Sequence, residues 1–420
     1  MKIKGLCLAM LLITVNILLF GCSIQGNGNQ TKDGKGTNLV VYSWRPEDKD
    51  MYEKAFALFE KDHPNIHLKF QPYQSTEYNT ILSNALVSGK GPDIIQLRPY
   101  SGATSIADSN YLTSLDDLKG LNNIKKEYLD AAKGSDGKVY GVPLSLDSGV
   151  IFYNKKIFQD NGISIPKTWE DFMAACKKLK QNNITPIAQA GKDAYLLSLT
   201  HSVISPSSYN GSSFVEKLAN KQTNLKDPMF VESVQRMKDL TPYFPKNFIA
   251  LSDVDAQPLF LGGKAAMYIN GDYRLESFKQ TAPNLSIGII PGLATESGGS
   301  PIVSTWVDGS YAVVKKSPHQ KEAKQFMEFL ASKSFGKLFS DTVARQSAID
   351  GITPKNSVEK AVAEAGQKNT TPYLMLVKYG TGTPTTKTNF ETALQGMYLG
   401  KLSVNQVVQE VEKSAEKNQK

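Results

Sequence analysis

Residues 39–97 read LVVYSWRPEDKDMYEKAFALFEKDHPNIHLKFQPYQSTEYNTILSNALVSGKGPDIIQL. Leu39 to Ser43 is apolar and β-rich. Tyr52, Ala55, Phe56 and Phe59 then recur at helical spacing until His63-Pro64 stops the helix. Ile66, Leu68 and Phe70 alternate as a strand requires. Tyr78, Ile81, Leu82, Ala85 and Leu86 mark a second amphipathic helix, ended by Gly89-Lys90-Gly91-Pro92. Asp93-Ile94-Ile95-Gln96-Leu97 follows as a short buried strand. Strand, helix, strand, helix, strand at these lengths predicts an α/β domain with a mainly parallel sheet.

Similar signals run outward from this stretch. Thr168 with Asp171 three residues on forms a capping box, opening a helix whose apolar face carries Trp169, Phe172, Met173, Cys176 and Leu179. Trp169 is expected in the core or as a staple at that helix start. Asp227-Pro228 starts another helix, and Ser403 with Gln406 caps a last amphipathic one. Strands are predicted at 265–269, 286–290 and 311–314, with Ser/Gly/Asn-rich loops at 205–213 and 294–300. Beyond residue 38 about 380 residues remain of the 420, more than one core usually holds, so two domains are expected.

The N-terminus sets the compartment. Lys2 and Lys4 precede an apolar run from Leu6 to Phe20, broken by Thr14 and Asn16. It falls short of the roughly 20 apolar residues a membrane span needs, and reads as a secretory signal over residues 1–21. Leu19-Phe20-Gly21-Cys22 resembles a bacterial lipobox, which implies a diacylglycerol on the Cys22 thiol and an anchor on the outer face of the cell membrane. Two acyl chains anchor stably where one does not. Residues 22–38 should form a flexible, glycine-rich tether. Cys7 leaves with the signal, so no disulfide is possible within the mature chain apart from the lipidated residue, and Cys176 is expected as a small buried hydrophobe. The formal charge is +8, with lysines scattered rather than clustered, which argues against a nucleic-acid partner.

Four blocks, in order, carry a family resemblance. They are Ser88-Gly89-Lys90-Gly91-Pro92-Asp93; Tyr140-Gly141-Val142-Pro143 followed by Ile151-Phe152-Tyr153-Asn154-Lys155; Phe260 with Gly263-Lys264-Ala265-Ala266-Met267 and Gly271; and Lys316-Ser317-Pro318 leading into KEAKQFMEFLAS. Together they resemble the sugar-type (family 1) extracellular solute-binding proteins of bacterial ABC importers, the group that includes maltose-binding relatives. One departure stands out: Asp272 and Tyr273 occupy the place where that family often has a tryptophan. The resemblance implies a two-lobed, type II periplasmic-binding-protein-like fold with the ligand in a cleft between lobes joined by three crossing strands. The crossings are expected near 148–152, 311–315 and 341–346. The first lobe is then expected over 39–148 plus 316–343, and the second over 149–315 plus 344–420. It also implies a monomer that captures a sugar or oligosaccharide, delivers it to permease subunits in the membrane, and needs no cofactor.

Sugars present flat C–H patches flanked by hydroxyls in fixed directions, so a site needs aromatic faces and rigid polar groups. In α/β sheets such sites lie just beyond strand ends. Trp44 directly follows the first strand, and Trp306 precedes the strand predicted at 311; Tyr273 could stand in for the missing tryptophan. For hydroxyls the candidates are Glu47, Arg98, Asp147, Asp308 and Arg345, with Asp272 beside them. Asp147 lies among Leu144, Leu146 and Val150, where a carboxylate is costly without partners.

An enzyme is the rival class. The chain has no Gly-x-Ser-x-Gly elbow, no Walker phosphate loop and no His-Glu-x-x-His helix. Among its four histidines, His63 and His67 are separated by Pro64 and are not expected to share a helical face, so no metal is expected. A glycan-active enzyme needs only two well-spaced carboxylates and stays open as a reading. So do a non-sugar cargo on the same fold (a peptide, polyamine, sugar acid or phosphate ester) and a sensing or adhesive role.

Overall fold

The computed structural model describes residues 36–343 and 345–418. The signal segment, Cys22 and most of the tether lie outside the described residues. Among the described residues ten strands are found: β1 (Thr37–Ser43), β2 (Ile66–Pro72), β3 (Ile94–Leu97), β4 (Val142–Asn154), β5 (Thr185–Ile187), β6 (Ala265–Gly271), β7 (Ile287–Ile290), β8 (Val303–Val313), β9 (Gln346–Ser347) and β10 (Thr370–Pro372). They form one curled sheet of order β2-β1-β3-β8-β4-β6-β5, with β10 on β8 and β7 and β9 on β4. β1 pairs in parallel with both β2 and β3, as the opening stretch predicts, and β8 closes that half antiparallel to β3.

Alternation along these strands builds a core on each face of the first lobe. Leu39, Val41, Ile94 and Val313 face one side, where the helix Lys49–Asp62 buries Met51, Tyr52, Ala55, Phe56 and Phe59. Each such side chain is worth roughly 1.5–3 kcal/mol of burial. Ile95, Leu97 and Ala312 face the other side, against Tyr78, Leu82 and Leu86 of the helix Ser75–Ser88. Gly89, at φ +66, ends that helix in the left-handed conformation that glycine adopts without a Cβ clash.

β4 and β8 belong to both lobes. Val142 and Leu144 pack in the first core, Val150–Tyr153 in the larger second one; Val303 and Trp306 pack in the second core, Tyr311 and Val313 in the first. The two strands pair antiparallel over this crossing, and β9 adds a third connection beside Ser145 and Leu146. The crossing strand predicted at 311–315 thus starts at Val303. Its stretch Thr305-Trp306-Val307-Asp308-Gly309-Ser310 looks like a loop by composition and is held extended by pairing with β4. At the third crossing the helix Lys333–Val343 runs further than expected, and the strand is confined to Gln346–Ser347.

The predicted caps form. Thr168 and Asp171 make the capping box, and Asp227 accepts from Met229 N. Ser403 and Gln406 cap reciprocally. Trp169 lies against Phe172 with Arg236 over its ring. Cys176 is a free, buried thiol whose pKa burial pushes up. Among the described residues no helix is long and apolar enough to cross a membrane.

His201 sits in the second core with no exposed surface, edge-on to Phe230 and Phe390. Ser233 Oγ spends its proton on Phe230 O at 2.6 Å, so in the 2.8 Å contact His201 Nε2 is the donor, and burial keeps the ring neutral. Burial pushes its pKa down to about 3, below the roughly 6.5 of an unfolded chain. The unfolded state therefore binds the proton first, and stability is lost as pH falls from about 6.5 towards 3. At pH 5 the loss is about 2 kcal/mol. His201→Gln should remove that much of the pH 7-to-5 difference in urea-unfolding free energy.

Candidate functional site: a cleft between the lobes

A cavity of about 590 Å³ opens between the lobes, within the usual size of small-molecule sites. The first lobe contributes Trp44, Arg45 and Glu47 from the loop after β1, and Arg98 from the loop after β3. The second contributes Tyr195, Asp253, Tyr273, Arg274, Tyr373 and Lys387, while β8 supplies Trp306 and Asp308. Trp306 and Asp308 are two apart on one strand and share a face, so the long crossing strand is what aims them into the cleft.

Of the candidates read from sequence, Trp44, Glu47, Arg98, Tyr273, Trp306 and Asp308 come together on this wall. Asp147, Asp272 and Arg345 do not line it and are buried beneath. Arg345 ion-pairs with Asp48, and Asp272 accepts from Ser148 N at 3.0 Å. Asp147 has Arg45 Nη2 at 3.7 Å.

Arg45, which the sequence reading passed over, is the centre of the first-lobe wall. Its Nε donates to Asp308 at 2.9 Å and its Nη1 to Glu47 at 3.2 Å, and the guanidinium lies 5.3 Å from the Tyr273 ring centre of the opposite lobe. Burial works against the cation, but Asp308, Asp147, Asp48 and Glu47 outweigh it and raise its pKa. Burial likewise pushes the Asp308 carboxyl up, and Arg45 and Arg345 more than offset this, leaving it below its usual value. Arg98 differs: among the described residues it meets no carboxylate within ion-pair distance. Its Nη2 donates to Ser75 O and Oγ at 2.9 Å, and its plane lies 4.2 Å over the Trp44 ring.

The second-lobe wall is organised around Asp253, which is 5% exposed. It accepts from Tyr195 Oη at 3.2 Å and also from Arg274 and Tyr268. Tyr273 Oη donates to Asn270 Oδ1 at 2.8 Å. Ser198 Oγ joins Tyr373 Oη at 2.6 Å to Glu391, which pairs with Lys387. These groups are positioned before any ligand arrives, the condition for rigid hydroxyl recognition. No local pattern marks Tyr195 or Asp253, which are 58 residues apart; Arg45 could have been found by the same strand-end rule that selected Trp44.

The aromatic surfaces are unequal. Trp44 is 4% exposed, with Arg98 over one face and Tyr78 edge-on at 5.5 Å. Trp306 is 8% exposed and edge-on to Tyr373 at 5.5 Å. Tyr195 is 36% exposed and Val254 73%, both in the cavity lining. The Trp44 ring also packs on Gly309: a Cβ there would lie 2.7 Å from Cη2. Gly309→Ala should force the indole off its seat at a cost of about 1–3 kcal/mol, read by urea unfolding and by a shift in tryptophan emission.

The chain matches the family described as bacterial extracellular solute-binding protein over residues 43–337. It is similar to the multiple sugar-binding protein of Streptococcus mutans, 27% identical over 81% of this chain and 82% of that one. It is also similar to the melibiose/raffinose/stachyose-binding protein MelE of Bacillus subtilis, 24% identical over 80% and 79%. In solved structures the same fold occurs in a chitin oligosaccharide binding protein, with TM-score 0.75, 23% identity and coverage of 92% and 99%. The raffinose complex of RafE gives 0.73, 20%, 90% and 98%. The chain belongs to the bacterial extracellular solute-binding protein family, with the two-lobed fold of its members.

Proposed function

We propose that this protein captures a sugar or short oligosaccharide in the interlobe cleft and hands it to the permease subunits of an ABC importer. The observation that carries the reading is the cleft wall itself, in which Tyr195, Tyr273, Tyr373 and the tryptophan edges alternate with charged groups already held by hydrogen bonds. The similarity to a multiple sugar-binding protein and a melibiose/raffinose/stachyose-binding protein supports it. Contacts from both lobes favour the closed form through their differential affinity. On this reading the chain is a monomer and no enzyme, held by lipid on Cys22 at the outer face of the membrane, with lobes at 39–148 plus 316–343 and 149–315 plus 344–420. Arg98, which meets no carboxylate within ion-pair distance among the described residues, supports a second reading in which the cargo is a sugar acid.

A thermal-shift panel of neutral saccharides, sugar acids, peptides and polyamines tests this. A ligand at 100 times its Kd stabilises the native state by about 2.7 kcal/mol. A shift with one saccharide class is expected; a shift only with a peptide or polyamine would remove the sugar assignment. Tyr195→Ala should weaken that saccharide about tenfold, or 1.4 kcal/mol, with little loss of stability because the ring is exposed. Tyr195→Phe should retain most of the affinity, and calorimetric titration separates the two.

A further inference from the structure

The crossing strands carry a charge imbalance that ligand recognition does not use. Asp147, in the middle of β4, has no exposed surface, and among the described residues no group donates a hydrogen bond to either of its carboxyl oxygens. Its partner in the ladder is Trp306, so its side chain lies on the cleft side of the crossing, directly under the wall. The nearest cation, Arg45, stands 3.7 Å away but is already bonded to Asp308 at 2.9 Å and Glu47 at 3.2 Å. Arg345 is committed to Asp48. From the second lobe come Asp272, 2% exposed, and Glu359, 2% exposed with one oxygen unpartnered. Tyr273 and Lys279 are the remaining titratable groups that act on these carboxyls.

Asp48, Asp147, Asp272, Asp308 and Glu359 therefore share Arg45 and Arg345 as buried counter-charges. An ionised carboxylate held away from both water and a bonded cation costs several kcal/mol. The stable form of this packed arrangement keeps protons on the surplus carboxyls. Opening the cleft would admit water to the cleft side of Asp147 and its neighbouring carboxyls. That relieves the desolvation and lets the surplus carboxyls ionise.

We propose that this carboxyl cluster, centred on Asp147, is a proton-linked latch in the hinge, so that the lobes close with protons bound and open as the protons leave. Burial, then Asp308 and Asp272, raises the Asp147 carboxyl far above its ordinary range, with Arg45 and Arg345 offsetting only part. Burial and then Glu359 raise Asp272. Burial and then Asp147 push Glu359 up to about 8. Groups whose pKa is raised in the closed form favour closure at low pH, and that preference is lost as pH rises. The window runs from the roughly 4 of a free carboxylate to about 8 for Glu359. Each proton taken up on closing lowers the closed-to-open ratio by up to tenfold per pH unit.

The test uses protein without ligand, so its outcome is independent of the cargo. Fluorophores on Val87→Cys in the first lobe and Ile165→Cys in the second, both exposed and outside the cleft lining, report lobe separation by energy transfer. Cys7 and Cys22 are replaced by serine; buried Cys176 stays. Between pH 5.5 and 8.5 the closed-to-open ratio should fall at least tenfold. Asp147→Asn should abolish most of that change, and Glu359→Gln should reduce it and serve alone if the first variant does not fold. A separation that does not move with pH, or one that moves equally in Glu359→Gln and the parent, would overturn the latch.

Discussion

Arg45→Ala should destabilise the protein by about 3–5 kcal/mol and remove saccharide binding by a hundredfold or more. The stability loss follows from what the truncation leaves behind. Asp308 is largely buried, its side chain 13% exposed, and Arg45 is the cation bonded to it. Breaking a buried pair by removing one partner costs about that much because the remaining charge is uncompensated. The affinity loss of about 2.7 kcal/mol follows from geometry, since Arg45 also reaches the Tyr273 ring across the cleft at 5.3 Å. Urea unfolding at pH 7 measures the first effect and calorimetric titration the second. The stability penalty should shrink at pH 5, where the stranded Asp308 carboxyl can take up a proton more readily. Asp308→Asn combined with Arg45→Ala should recover part of the loss, because the two residues act as one unit.

Trp306→Ala should cost about 3–5 kcal/mol of stability, the range for truncating a buried aromatic, and lower saccharide affinity at least tenfold. Trp306 belongs to the second core and stands edge-on to Tyr373 at 5.5 Å. Its loss would both open a void and let Tyr373 tilt away from the cleft. Trp306→Phe should keep most of the stability and part of the affinity. Trp44→Ala should behave like Trp306→Ala, because Trp44 seats Arg98 and packs on Gly309. Unchanged affinity in both alanine variants would remove the indoles from the binding wall.

The parts of the fold legible in sequence are those set by local periodicity. Residues 39–97 alternate or repeat at 3.6 without ambiguity, and the helix stops at His63-Pro64 and Gly89 are chemical. The first part of β8, before Tyr311, is not legible, because Asp308-Gly309-Ser310 has turn composition and is extended only through its ladder with β4. The site shows the same division. Trp44 and Arg98 follow strands and could be found by position. Tyr195, Asp253 and Arg274 meet through tertiary packing alone. Asp147 reads from sequence as a costly carboxylate in apolar surroundings and a candidate for ligand contact. The local rule could not tell a ligand-facing group from one buried beneath the wall, since that depends on where Arg45 goes.

The central claim is that cargo is held between two lobes that close on it. The most direct measurement is energy transfer between the probes on Val87→Cys and Ile165→Cys at fixed pH, as the saccharide selected by thermal shift is added. A saturable shortening of the distance, with the same midpoint as the calorimetric Kd and absent in Arg45→Ala, is the predicted result. Saccharide binding that leaves the distance unchanged would contradict it.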